Sequence, residues 1–395
     1  MRLLALICFS LLTHVAHSGE LPGCPGNVGI GDRGLIIERA TGSVVIVNSS
    51  RQEVLCRVEG LGDLSHASIV FSRDEQFAFV FGRDGGLSKI DVLNGRLETR
   101  VIQSGNAIGG AISQDGKVIA VSNYTPGGVR LFSTDNLQPL ATVAAKTKSF
   151  PEGSKVVGLV DAPDNKMLFS LFDAGEIWQI SLNNPTSPEV TKFEQVGRQP
   201  YDGLISPDGR YYMAGLFGED GIALLDLWYP ERGIQIILPD YGKGDEKLPV
   251  YKMPHLEGWA FADDHAFLPA VGRNQLLVAS KGVWQLAHKI PLHGQPVFAM
   301  ARPDARQIWV NFAFPENKWL QVVDTKAMKV VKKIEAGPGV MHMEFTPRGE
   351  HIWVSVRDES KVKVYDTATF ALIKTLEVKS PSGIFFTARA HKIGL

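Results

Sequence analysis

Ten histidines stand among the 395 residues, and imidazole is the side chain best suited to hold a metal or move a proton near neutral pH. Two of them sit in short passages that run directly into apolar stretches. His66 lies in Leu64-Ser65-His66-Ala67-Ser68, and His255 in Met253-Pro254-His255-Leu256-Glu257-Gly258-Trp259. A third such passage, Gln295 to Arg302, ends on a permanently charged donor fork suited to carboxylates and other anions. Tyr201-Asp202-Gly203 and Tyr124 place further hydrogen-bonding groups on loops. Arg39, Lys155, Arg198 and Arg273 add dispersed positive charge. On residue type alone, each of these is as readily a turn, packing or surface residue. His265, His288, His293, His342, His351 and His391 have no comparable placement and read as structural or surface. The sequence has no P-loop, no H-E-x-x-H, no G-x-S-x-G and no dinucleotide fingerprint in a βαβ context.

A repeated phrase must position these residues. A turn is followed by an apolar strand, a break, a second strand ending near Asp, and a third strand. The turns open at Ser72, Ser113, Ala162, Ser206, Ala262, Arg302 and Thr346, so the period runs from 40 residues (262 to 302) to 56 (206 to 262). Pro-Asp-Gly chemistry suits such turns, and the strands are rich in β-branched and aromatic residues. A period of this size signals a propeller. One blade cannot bury both of its faces, and closing blades into a ring leaves only short edges. The first repeat, LIIERATGSVVIVNSSRQEVLCRV, lacks a leading strand, while Ser382-Gly383-Ile384-Phe385-Phe386-Thr387 is a spare one. The predicted fold is therefore all-β: an eight-bladed β-propeller over 33–395, closed by pairing of its N- and C-terminal strands, with seven blades as the alternative. In a ring of eight, the passages holding His66 (second blade) and His255 (sixth) face each other across the axis.

The N-terminus reads as an export signal. Met1-Arg2 supplies a positive charge, Leu3 to Leu12 is too short to span a bilayer, and Ala16-His17-Ser18 is a small-residue cleavage site. Residues 1–18 are the expected signal peptide and 19–32 an N-terminal extension, which makes the expected location the periplasm. A lipid anchor at Cys24, in Leu21-Pro22-Gly23-Cys24, is the less favoured alternative. Cys8 leaves with the signal. An oxidising compartment permits Cys24 and Cys56 to pair, but sequence does not show that they do. With 41 basic and 42 acidic residues, the chain offers no broad footprint for nucleic acid.

The segment LSHASIVFSRDEQFAFVFGRDGGLSKIDV resembles the part of the haem d1 domain of cytochrome cd1 nitrite reductase that carries the proximal iron histidine. MPHLEG resembles a loop with a distal histidine, Tyr201-Asp202-Gly203 a His-Asp-Gly of that domain, and SPSGIFFTARAH its closing strand. The likeness is collinear from Gly34 to His391. It implies that His66 is an axial iron ligand and His255 a distal acid or base, with Asp202 as a second candidate. It also implies that Arg302 occupies the position of a second distal histidine, and that Tyr201, Tyr124, Arg39, Lys155, Arg198 and Arg273 hold the macrocycle or its carboxylates. Two departures argue against nitrite reduction: there is no C-x-x-C-H for a covalent c-type haem, and an arginine stands where a proton donor is needed. This is the pattern of relatives of the d1 domain that serve haem d1 biosynthesis. The resemblance implies binding of haem d1 or its dihydro precursor, followed by dehydrogenation of a propionate to an acrylate. A non-catalytic carrier delivering the cofactor to cytochrome cd1 nitrite reductase is the alternative. Enzyme activity therefore stays open. The implied partners are the tetrapyrrole, the nitrite reductase and other haem d1 maturation proteins, with a homodimer as one possible oligomeric state.

Overall fold

A computed structural model describes residues 24, 28–241, 258–270 and 273–394. Among the described residues, thirty-two strands form eight four-stranded antiparallel sheets, each the blade of one ring. Seven blades are built from consecutive strands. The remaining one takes Arg33–Glu38, Ser43–Asn48 and Glu53–Val58 from the N-terminus and its innermost strand, Pro381–Phe386, from the C-terminus. The count is eight, not seven, and the incomplete first repeat and the spare last strand account for each other. Blades are numbered here from this mixed one.

The recurring turn has a local cause. In Ser72-Arg73-Asp74 the Ser72 hydroxyl donates to Asp74 at 2.6 Å and accepts the Phe77 N–H at 2.9 Å. Ser113 does the same with Asp115 and Val118, and Ser206 with Asp208 and Tyr211. These bonds satisfy backbone groups that the strands leave unpaired at the reversal. Gly116, Gly209 and Gly349 follow with φ of +72°, +72° and +76°, a conformation glycine adopts without steric penalty.

The apolar core is not one mass. It divides into eight clusters, each lying between two neighbouring blades; Ile36, Val45, Trp353, Val364 and Ile384, for example, join blades 8 and 1. Burial falls away from the axis. Arg33–Glu38 and Ser43–Asn48 are buried throughout, whereas the outer strand Lys329–Glu335 is mostly exposed and carries charges that discourage edge pairing.

Ring closure is a ladder in which Gly34, Leu35 and Ile36 pair with Phe386, Phe385 and Ile384. Charged groups fasten both of its ends. The buried Glu38 carboxylate accepts from Arg57 at 2.6 Å, from Ser43 at 2.7 Å and from the Lys379 N–H at 3.0 Å. The buried Arg33 guanidinium donates to the carbonyls of Val28, Val92 and Leu93. Cys24 and Cys56 form a disulfide that ties the segment before the first strand to blade 1. This bond and a lipid thioether at Cys24 would need the same sulfur, so the two are mutually exclusive. Beyond the last strand, the short 3-10 turn Thr387–His391 crosses beneath the axis. Thr387 donates to Ile30 and Arg33, Arg73 of blade 2 donates to the Ala390 carbonyl at 2.7 Å, and the Gly394 N–H reaches Asp161 of blade 4 at 2.9 Å.

Ile384→Asp places an unpaired charge in this fully buried ladder. A loss of about 4 kcal/mol is expected, read as a lower denaturation midpoint. An unchanged midpoint would mean that closure does not hold the ring.

Candidate functional site

Inner strands of a ring converge on its axis, and here they do not run straight. Asn106–Ile112, Val156–Ala162, Pro200–Ile205, Pro296–Ala301, Val340–Phe345 and Pro381–Phe386 each carry a register shift near the start. The extra residues include Gly158-Leu159, Asp202-Gly203, Val297-Phe298, Met341-His342 and Ser382-Gly383. A bulge re-aims a side chain without breaking the strand. Side chains of the neighbouring strand take up backbone N–H groups at the bulge: Phe298 donates to Asn311 Oδ1 at 2.9 Å, and His342 to Ser355 Oγ at 2.8 Å. Asp202 holds a φ of +54°, and Gly158 one of +60° with no room for a Cβ against the Asp202 backbone.

These bulges surround an axial cavity that opens to solvent. His66, Asp202, Tyr201, Arg39, Phe298, Met341, His342, Phe385 and Arg389 are among its lining residues. Its walls are mainly apolar, as ligand pockets generally are. Glycines 109, 110, 158 and 383 thin them further; at Gly110 a Cβ would fall 2.3 Å from the Phe81 ring.

His66 stands half-buried on the loop before the inner strand of blade 2, with its Nδ1 shielded from solvent. The loop is pinned from several sides. Asp63 accepts the Ser65 N–H at 2.8 Å, and hydrogen bonds from Ser65 hold the Asp63 carboxyl below its usual range. Arg39 donates to the Ser65 carbonyl at 2.5 Å, and the Arg83 N–H to the Asp63 carbonyl at 2.8 Å. Tyr201 is hydrogen-bonded to Tyr124. Burial, followed by the negative charge of Asp202, raises the Tyr201 phenol far above its ordinary value, so its hydroxyl stays protonated. Burial likewise raises Tyr124.

The structure sorts the sequence candidates. His66, Asp202, Tyr201 and Arg39 meet in the cavity, and Tyr124 supports Tyr201 from behind. Lys155 is paired with Asp173 at 2.9 Å, near the Phe172 ring that packs edge-on against Tyr201. Arg198 is paired with Glu219 and lines a separate shallow groove with Asp173. Arg273 is exposed, and His255 lies outside the described residues. Arg302 is a correction. It follows the far end of its inner strand, while the cavity receives Phe298 from the near end. Its guanidinium is committed to the Gly349 carbonyl at 3.0 Å and to Asp304 at 3.1 Å in the turns of the opposite rim.

His342 is structural, as expected, and also lines the cavity. Its ring stacks on Phe385 at 5.6 Å and meets Phe298 edge-on at 5.5 Å. Nδ1 accepts the Ile384 N–H at 3.2 Å, so the neutral ring carries its proton on Nε2. Burial lowers its pKa to about 4. Arg389, within SPSGIFFTARAH but given no role by it, lines the cavity and is buried against Glu344. The repeat did contain a signal for such positions. Ser68, Gly109, Gly158, Asp202, Phe298 and His342 each precede the residue opening the next turn (72, 113, 162, 206, 302, 346) by four, and all six line the cavity.

Together, fold and site define a propeller built around one axial funnel. Residues 28–390 match the cytochrome D1 heme domain family, to which this chain belongs. It is 55% identical over 386 residues to protein NirF of Pseudomonas aeruginosa, covering 98% of each chain. It is 54% identical over 368 residues to protein NirF of Stutzerimonas stutzeri, covering 93% and 94%. A more distant relative is the dihydro-heme d1 dehydrogenase of P. aeruginosa, 26% identical over 374 residues, or 91% of this chain and 71% of that one. The solved structure of the dihydro-heme d1 dehydrogenase NirN in complex with DHE has the same fold, with a TM-score of 0.79 at 22% identity over 92% of this chain and 77% of that one.

The folded state excludes a proton from His342 that the unfolded chain takes up below its ordinary pKa of 6.5. Stability therefore falls as pH drops from about 6.5 to about 4, by about 3 kcal/mol from this residue. His342→Asn should flatten the denaturation midpoint across that window; identical pH profiles for the two proteins would show that His342 is not held neutral.

Proposed function

We propose that this chain binds haem d1 or its dihydro precursor in the axial cavity, with His66 as axial ligand, and acts in the late step of haem d1 biosynthesis that forms the acrylate side chain. The observation that carries this reading is the convergence of a half-buried imidazole, aromatic walls and two cations, Arg39 and Arg389, in one axial cavity. The residues fit a tetrapyrrole. The imidazole suits its iron, Phe298, Phe385, Leu159 and Met341 suit its faces, and the arginines suit its carboxylates. Bound iron would supply a site for an axial nitrogen. Family membership and the full-length likeness to NirF proteins support the pathway, and the relative named as a dihydro-heme d1 dehydrogenase supports the reaction. The export signal read from residues 1–18 supports a periplasmic location.

Converting the propionate CH2–CH2 to CH=CH breaks two C–H bonds and releases two protons and two electrons, the electrons going to an external acceptor. Asp202 is buried in the cavity wall and is the described carboxylate placed to receive a proton; His255 is a further candidate base. His342 stays neutral and can donate a hydrogen bond from Nε2, while the Tyr201 hydroxyl is engaged by Tyr124. The lack of C-x-x-C-H in the sequence, and hence of a covalent haem to receive electrons, favours a second reading. In that reading the chain is a carrier that passes haem d1 to cytochrome cd1 nitrite reductase.

Optical titration of the mature protein with haem d1 and with the dihydro precursor tests the binding. A shifted Soret band is expected, with affinity about 100-fold lower in His66→Ala. No shift in the wild type, or equal binding by the variant, would count against His66 as ligand. Incubation of the dihydro complex with an electron acceptor then separates the readings. The enzyme yields the acrylate, and Asp202→Asn slows it; the carrier leaves the pigment unchanged and transfers it to apo nitrite reductase.

A further inference from the structure

One of the two arginines that line the cavity, Arg389, is held by a buried carboxylate. Arg389 Nη1 donates to Glu344 Oε2 at 2.8 Å, and the two side chains are only 7% and 4% exposed. The guanidinium also lies over the Phe385 ring, 4.9 Å from its centre. A pair buried this deeply gains little stability, because removing both charges from water offsets their attraction, and a well-packed apolar pair commonly does as well. The structure supplies a different reason for it. Arg389 lines the same apolar cavity as His66, and the C-terminal segment that carries it crosses under the axis. Arg39, the other cation lining the cavity, is tied to the His66 loop through the Ser65 carbonyl.

We infer that Arg389 is the anchor for a carboxylate of the bound tetrapyrrole, and that Glu344 positions the guanidinium before binding and takes up a proton when the ligand carboxylate arrives. This rests on the tetrapyrrole reading above. Two carboxylates on one buried guanidinium leave an excess negative charge, which is costly away from water. Neutralising Glu344 with one proton from solvent restores the balance. Burial already pushes the Glu344 carboxyl up, against the opposing charge of Lys392. The surrounding groups are Lys392 and the His391–Glu75 pair on the C-terminal side, the Arg73–Asp161 ion pair at 3.1 Å that clamps the same segment, and neutral His342 two residues earlier on the strand of Glu344.

The test compares haem d1 with its methyl-esterified form on the full mature protein, on the apolar double variant Arg389→Met/Glu344→Met, and on Glu344→Gln. The double variant removes both charges together, so neither is left unpaired. The wild type is expected to prefer the free acid over the ester. That ratio should fall tenfold or more in the double variant, while the Soret signature of the His66 ligand is retained. Calorimetry in two buffers of different ionisation enthalpy, repeated between pH 7 and pH 9, should show net proton uptake on haem binding by the wild type and none by Glu344→Gln. An unchanged acid-to-ester ratio in the double variant, or equal proton uptake by Glu344→Gln, overturns the anchor alone. Failure of the wild type to bind haem d1 in either form overturns the tetrapyrrole reading and the anchor with it.

Discussion

Everything in this molecule depends on closing a ring that the chain leaves open until its last strand. Residues 34–36 and 384–386 must meet, because each blade buries its faces only against neighbours. Until they pair, blades 8 and 1 expose the apolar faces that flank the joint. The same closure makes the binding cavity. It delivers Ser382, Gly383 and Phe385 to the wall and draws the following segment under the axis, where Arg389 and Ala390 meet groups from blades 2 and 8. Stability and site formation are therefore consequences of one interaction.

A ring of inner strands leaves a space at its centre, and the bulges decide what fills it. Straight strands would alternate their side chains between the two neighbouring blades. The extra residue at each bulge turns a side chain or a bare glycine toward the axis instead. That is how the fold gathers His342, Asp202 and Phe298, residues far apart in sequence, around His66. The cost is polar groups held away from water. They are met locally by Asn311 and Ser355 at the bulges, by Tyr124 for Tyr201, and by the Ile384 N–H for His342.

Much of this was legible in the sequence. The recurring turns at 72, 113, 162, 206, 262, 302 and 346 mark the repeat and the blade count, and the unpaired first and last strands mark the closure. The loop of His66 was readable because its residues are local. Arg302 was misplaced because the family resemblance carried a role to a residue just past the strand, where chain direction sets it on the opposite rim. His342 was passed over because it sits inside an apolar strand and looks like packing. Only the four-residue offset to the next turn, shared with Asp202 and Phe298, marks it as axial. SPSGIFFTARAH contains Arg389 but does not mark it as a cavity residue, since its place depends on where the chain runs after closure, which is a long-range outcome.

The central claim is that the tetrapyrrole occupies the axial cavity on His66. A crystal structure of the protein with haem d1 tests it most directly. Iron is expected within bonding distance of a His66 ring nitrogen, with the macrocycle between the walls formed by Phe298 and Phe385. Haem density outside the funnel, or iron held by another residue with His66 turned away, would contradict it.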